Sequence, residues 1–153
     1  MIHIDKYFAY GSNMNSERVA DRGLVVLHTE SARLKNFQLV FNKAAMQNNA
    51  AAHANIEYCP GQEVQGVLYT LTDKDEIHKM DPYERAPWNY GRDAVQVLTV
   101  SGTQWAWTYF ANAALLADGR RPPADYMDHL LAGADYLSPE YVSMLRAWPV
   151  TWN

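Results

Sequence analysis

The segment Tyr7-Phe8-Ala9-Tyr10-Gly11-Ser12-Asn13-Met14 constrains this chain more than any other. Aromatic and small apolar residues of strand character run into a Gly-Ser-Asn corner, and the helix-start residues Asn15, Ser16 and Glu17 follow at once. A strand that breaks there and re-forms as a helix leaves several backbone N–H groups without intrachain partners. Two readings of the corner stand side by side. In one it is a tight strand-to-helix turn, with Gly11 supplying φ > 0 and Asn13 or Ser16 capping. In the other, those amides converge with the positive end of the helix dipole to hold an anion such as a carboxylate.

Beyond the corner, strands dominate the middle of the chain. The first is expected over Lys6 to Tyr10, followed by a short helix from Ser16 to Asp21. Val25 to Leu27 and Arg33 to Phe41 read as strands. Asn48 to His53 is a loop or the ragged start of a strand through Ile56 to Cys59, and Pro60-Gly61 is expected to turn the chain. Val64 to Leu71 is apolar nearly throughout and so predicts a strand buried on both faces. Thr72, with Asp73, Asp75 and Glu76, opens a helix that Asp81-Pro82 must end. Ala94 to Val100 and Gln104 to Ala111 form a hairpin about Ser101-Gly102-Thr103. Helices are expected over Ala124 to Ala132, after Pro122-Pro123, and from Ser138-Pro139-Glu140 to Ala147. This order predicts an α+β fold rather than a regular βαβ alternation.

The 153 residues show no internal repeat or linker, and the expectation is one domain over residues 1–153. A net charge of −4, with Arg120-Arg121 as the only adjacent basic pair, argues against nucleic-acid binding. No apolar run approaches membrane-spanning length. His3, Asp5 and Lys6 stand where a secretory signal needs an apolar core, so a cytoplasmic location is expected. Cys59 is the single cysteine, which excludes an internal disulfide, and no sequence neighbour offers it a base. His3, His28, His53, His78 and His129 stand singly, without the spacing of a metal site.

One carboxylate stands out by context. Glu84 follows Asp81-Pro82-Tyr83 and precedes Arg85-Ala86-Pro87-Trp88-Asn89-Tyr90. Burial among Tyr83, Trp88 and Tyr90 raises its pKa toward neutrality, where a carboxylate serves as general acid/base. A move from about 4.3 to about 6.5 disfavours the anion by roughly 3 kcal/mol. The other reading is a solvated glutamate paired with Arg85 or Arg92. Tyr109 shares its strand face with Trp105 and Trp107 at period 2, which suits a packing stripe, and Tyr126 suits an ordinary helix residue. Either hydroxyl is alternatively available to a polar pocket. Trp148 and Trp152 either cover the core edge or meet a partner.

Taken together, these pieces resemble the γ-glutamylcyclotransferase-like family over nearly the whole chain. The family's opening stretch is matched by Tyr7 to Met14, and its Gly-Val-φ-Tyr strand by Gly66-Val67-Leu68-Tyr69. Its acidic motif is matched by Met80-Asp81-Pro82-Tyr83-Glu84-Arg85. Tyr90, Tyr109, the Pro-x-x-Tyr of Pro123 to Tyr126, and Leu130 to Ala134 complete the series. The resemblance implies a small mixed β-barrel-like sheet flanked by helices, with Glu84 as the catalytic carboxylate. It also implies a substrate pocket drawn from Tyr7, Phe8, Ala9, Tyr10, Gly11, Ser12, Asn13, Tyr90, Tyr109 and Tyr126. Arg85 departs from the family, which has glycine after the glutamate. It either salt-bridges Glu84, lowering its pKa, or points outward as a substrate contact.

The implied reaction needs no metal or cofactor. The α-amino nitrogen of a small γ-glutamyl compound attacks its own side-chain carbonyl, releasing 5-oxoproline and a free amine or amino acid. The leaving group, whether amino acid, peptide, polyamine, lysine side chain or tailored metabolite, is left open. Its pocket is expected in loops such as Lys43 to His53 and Ala113 to Arg121. The alternative of a different class is a non-catalytic carboxylate-binding module of the same fold, with Glu84 silenced by Arg85. The expected partner is the small γ-glutamyl substrate, with neither nucleic acid nor membrane, in a monomer or homodimer.

Overall fold

The computed structural model describes residues 2–152. In chain order, the regular elements are β1 (Lys6–Ala9), α1 (Ser16–Asp21), β2 (Val26–Ala44), β3 (Ala52–Leu71), β4 (Tyr90–Thr99), β5 (Gly102–Ala111), α2 (Ala124–Leu131) and α3 (Pro139–Ala147). The strands close into a barrel in the order β1-β3-β2-β4-β5. All ladders are antiparallel except the seam, where β1 meets β5 in parallel at Tyr7 and Trp107. This is the mixed barrel flanked by helices that the resemblance implied. None of the described helices is long and apolar enough to cross a membrane.

The barrel is built on two very long strands where sequence reading expected shorter pieces. Val25 to Leu27 and Arg33 to Phe41 belong to the single strand β2. Pro60-Gly61 does not turn the chain. It lies within β3, in a bulge between the pairs Lys35–Glu63 and Phe37–Tyr58. The irregularity is accommodated by positive φ on both sides, 66° at Asn36 and 87° at Gly61, and the Gly61 N–H donates to Asn36 Oδ1 at 3.1 Å. A bulge lets a ribbon this long coil around a closed barrel without breaking its ladder.

Local signals elsewhere shifted rather than failed. The helix expected after Thr72 is one short 3₁₀ turn, Glu76–Lys79, and the Asp73 carboxylate ahead of it accepts from the N–H groups of Asp75 and Glu76. The β4–β5 turn lies one to two residues earlier than expected, because Gly102, at φ 105°, already belongs to β5. Ser138 caps α3, with Pro139 at its start, as its chemistry predicts. Trp148 covers Phe41, with ring centroids 4.8 Å apart, whereas Trp152 is exposed.

One close approach fixes where β1 lies. A Cβ on Gly66 would stand 2.4 Å from the Ala9 carbonyl oxygen and 2.8 Å from Phe8 Cε1. The absent side chain therefore lets β1 lie tightly on β3. Thr108 Oγ1 donates to the Phe8 carbonyl at 2.8 Å and ties β1 from its other side. Since β1 leads directly into Gly11, these contacts position the corner.

Candidate active site

The corner is a 3₁₀ turn over Ser12–Met14, closed by the Met14 N–H donating to the Gly11 carbonyl at 3.0 Å. Gly11 has φ −113°, so the expected positive φ is not the reason for glycine here. Space is tight here instead: a Cβ would lie 3.2 Å from Ala54 Cβ and 3.3 Å from the Tyr126 hydroxyl, so either side chain would have to give by a few tenths of an ångström. Neither expected residue caps α1. Asn15 does, its side chain accepting from the Glu17 N–H. Asn13 is buried and organises the site instead.

The Asn13 amide nitrogen donates to the Tyr7 hydroxyl at 2.8 Å and to Glu84 Oε1 at 2.9 Å. Its amide oxygen accepts from Arg22 Nη1 at 3.0 Å, and its carbonyl accepts from the Tyr69 hydroxyl at 2.7 Å. The turn after β1 is thus tied directly to the loop that carries Glu84. Arg22 Nη1 also lies 3.8 Å from Glu84 Oε1. The Glu84 side chain is 15 % exposed. Burial raises its pKa above the ordinary value, against the opposing influence of Arg22, the Asn13 hydrogen bond, Arg18 and Lys43.

The shielding of Glu84 differs from the expectation. Tyr83 and Trp88 are 52 % and 73 % exposed, and Tyr83 lies under the Arg22 guanidinium at 5.1 Å. Arg85 does not salt-bridge Glu84. Among the described ion pairs Glu84 meets Arg22, while Arg85 borders a larger cavity beside it. Arg85 has φ 50°, the left-handed region where glycine is favoured, which gives a physical reason for the glycine usual at this place.

Two cavities meet at Glu84. The inner one, of about 40 Å³, is bordered by Tyr7, Tyr10, Gly11, Ser12, Asn13, Ala54, Glu84, Tyr90, Tyr109 and Tyr126. The outer one, of about 590 Å³, shares Ser12, Glu84, Tyr90 and Tyr126 with it. Of the residues implied by the resemblance, Phe8 and Ala9 are placed elsewhere, packed in the core where β1 meets Gly66. Tyr90 donates its hydroxyl to the Ala54 carbonyl at 2.8 Å, and the Ala54 N–H donates to the Tyr126 hydroxyl at 3.1 Å. Burial pushes Tyr126 up to about 12 and holds Tyr7, Tyr10 and Tyr90 well above the ordinary phenol value, so all four stay neutral near pH 7. The Tyr109 hydroxyl is committed to Asp81, donating to its Oδ1 at 2.6 Å. Arg92 grips the same carboxylate with Nε at 2.9 Å and Nη2 at 3.1 Å.

Three cations have no counterpart in the sequence expectations, Arg18, Arg22 and, as partner of Asp81, Arg92, whereas Lys43 opens the segment Lys43 to His53 that was expected to border the leaving-group pocket and does border the outer cavity. Lys43 was legible in principle. It continues the inward alternation of Leu39 and Phe41 at period 2 and is 2 % exposed. Arg18 and Arg22 sit on and just after a six-residue helix, where no spacing rule singles them out.

The chain matches the sequence model of the family described as "Gamma-glutamyl cyclotransferase, AIG2-like" over residues 7–131. It is 35 % identical over 81 residues to the γ-glutamylcyclotransferases of Bos taurus and Homo sapiens. That match spans 51 % of this chain but only 43 % of each relative. A solved structure titled "Gamma-glutamyl cyclotransferase" superposes with a TM-score of 0.79 at 26 % identity, covering 95 % of this chain and 88 % of the other. The corner, the central strand, the Glu84 loop and α2 all fall inside the matched span, and on that match the chain belongs to the AIG2-like γ-glutamyl cyclotransferase family.

Proposed function

We propose that this chain is a γ-glutamyl cyclotransferase with Glu84 as its general acid/base. The observation that carries the reading is the recessed Glu84 carboxylate, steadied by Asn13 at 2.9 Å, where the inner and outer cavities meet. In this reading the substrate's glutamyl head lies at that junction. The Gly11-Ser12 corner receives the α-carboxylate, and the neutral hydroxyls of Tyr7, Tyr10, Tyr90 and Tyr126 shape the wall. Tyr109 supports the wall through Asp81.

The α-ammonium gives a proton to the Glu84 carboxylate, and the freed nitrogen attacks the substrate's side-chain carbonyl carbon. A C–N bond forms and the carbonyl electrons move to oxygen, giving an oxyanion that a hydrogen-bond donor at this junction would stabilise. Glu84 returns that proton to the original amide nitrogen, and the tetrahedral centre collapses with cleavage of the bond to that nitrogen. The second proton of the attacking nitrogen passes through the regenerated Glu84 carboxylate to the released amine, which leaves as an ammonium. The products are 5-oxoproline and a free amine. Both reacting groups belong to one molecule, so holding them in a ring-like pose is the main task. Desolvation makes Glu84 a stronger base, while Arg22 and Asn13 keep the anion accessible.

The test is 5-oxoproline release from a panel of γ-glutamyl compounds, with Glu84→Gln as control. Release by the native chain, lowered at least ~100-fold in the variant, is the expected result. Release that survives the substitution unchanged removes Glu84 from the chemistry, and no release from any compound removes the activity.

A further inference from the structure

The outer cavity has an unbalanced charge. Arg18, Arg22, Lys43 and Arg85 border it, against the carboxylates of Glu84 and Asp125. Arg22 is already committed to Glu84 at 3.8 Å and to Asn13 at 3.0 Å. Three cations therefore face Asp125. A γ-glutamyl head is a zwitterion at its α-carbon, so seating it leaves this excess untouched.

Arg18 and Lys43 also bring hydrogen-bond donors to the cavity. An ammonium carries three N–H groups. One hydrogen bond of buried Lys43 runs to the Ala44 carbonyl at 3.0 Å. Arg18 Nε is buried without a hydrogen-bond partner among the described residues. Buried donors of this kind are normally satisfied, and an unsatisfied one calls for an explanation. The bordering histidines add no compensating anion. His53 and His129 are held below the ordinary imidazole value, by burial first and then by Lys43 and Arg18 around His53 and by Arg18 around His129.

We infer that Arg18, Lys43 and Arg85 form a leaving-group subsite for carboxylates, selecting γ-glutamyl conjugates of acidic amino acids over those of neutral amino acids or polyamines. This rests on the cyclotransferase reading. It assigns the outer cavity to the released amine, which two carboxylates anchor against three cations. A polyamine would instead bring further positive charge beside Lys43 and Arg85, where like charges repel.

Turnover of γ-glutamyl-glutamate, γ-glutamyl-alanine and γ-glutamyl-putrescine is compared for the native chain, Lys43→Met, Arg18→Gln and Arg85→Gly. Glycine accepts the φ of 50° at position 85, so the last variant keeps the fold testable. The expected order of kcat/KM is glutamate, then alanine, then putrescine. Each variant should lower the ratio of kcat/KM for the glutamate conjugate over the alanine conjugate about tenfold, equivalent to ~1.4 kcal/mol, because any effect of Arg18 or Lys43 on Glu84 is common to both conjugates and cancels in the ratio. Equal or better turnover of the alanine or putrescine conjugate, or variants that slow all three alike, overturns the subsite. If no conjugate yields 5-oxoproline, the cyclotransferase reading fails, and calorimetry with glutarate then judges the subsite alone. Glutarate binding that Arg18→Gln abolishes supports it; absence of binding by the native chain overturns it.

Discussion

The side-chain amide of Asn13 bridges the Tyr7 hydroxyl and the Glu84 carboxylate, at 2.8 and 2.9 Å, and thereby couples the end of β1 to the loop after the central ribbon. Three polar partners depend on this one buried side chain, the third being Arg22 at 3.0 Å. Asn13→Ala should cost about 2–3 kcal/mol of unfolding free energy, because a charged and partly buried acceptor loses its donor. The hydrogen bond favours the Glu84 anion, so its loss raises the Glu84 pKa further. The acid limb of kcat/KM should therefore move to higher pH. Urea unfolding and a pH–rate profile check the two parts separately, and an unmoved limb would count against Asn13 acting on Glu84.

Glu84→Gln should also change how stability depends on pH. The folded pKa of Glu84 lies above its unfolded value, so the native state holds this proton more tightly than the unfolded chain does. Stability then falls as pH rises from the unfolded pKa, about 4.3, through the raised folded pKa. The cost is complete above that point and absent below the unfolded value. Glutamine removes it while keeping an oxygen for Asn13 to donate to. The variant should melt higher than the native chain at pH 8, and the gap should close toward pH 4. Calorimetry at both pH values checks this, and a gap independent of pH contradicts it.

What the sequence disclosed divides along physical lines. Features carried by neighbours in the chain were legible: the Ser138 cap of α3, the buried run Val64 to Leu71, and the strand-corner-helix at Tyr7 to Met14. Pro60-Gly61 misled, because turn chemistry and bulge chemistry draw on the same residues, and only the partner strand at Asn36 distinguishes them. The carboxylate at Glu84 was visible, but its environment was not. Its shielding comes from Asn13 and Arg22, 71 and 62 residues away in sequence, rather than from the adjacent Tyr83 and Trp88. Tyr109 illustrates the same limit. Strand periodicity gave its face, but only the fold shows Asp81 taking its hydroxyl.

That last contact predicts a selective phenotype. Burial alone would raise the Asp81 pKa, but hydrogen bonds from Arg92 and Tyr109, with the Arg92 charge, bring it below the ordinary value. Tyr109→Phe deletes one of these donors and should cost about 1–2 kcal/mol near pH 7. A depressed carboxylate stabilises the fold above its unfolded pKa, and that contribution is lost as pH falls through the folded value. The deficit of the variant should therefore shrink in acid. Because the hydroxyl is committed to Asp81, KM for a γ-glutamyl substrate should change less than about threefold. A large rise in KM with unchanged stability would reassign Tyr109 to direct substrate contact.

Gly66 tests whether β1 sets the geometry of the corner. A methyl group there would meet the Ala9 carbonyl oxygen at 2.4 Å, a contact real Cβ atoms do not make, and Phe8 at 2.8 Å. The obstructing oxygen is backbone, so relief requires β1 to move away from β3. Overpacking of this kind costs about 1–3 kcal/mol. Any shift of β1 displaces Gly11 and Asn13 as well, because only Tyr10 separates the strand from the corner. Gly66→Ala should therefore lose both stability and 5-oxoproline release. Gly91→Ala is the matched control: it also lies within a strand, nothing approaches its Cβ within 4 Å, and it should change stability by no more than about 0.5 kcal/mol. Chemical denaturation and turnover of both variants check the pair. If Gly66→Ala destabilises the chain yet leaves turnover intact, the corner is held by α2 and the Glu84 loop, and β1 is not its anchor.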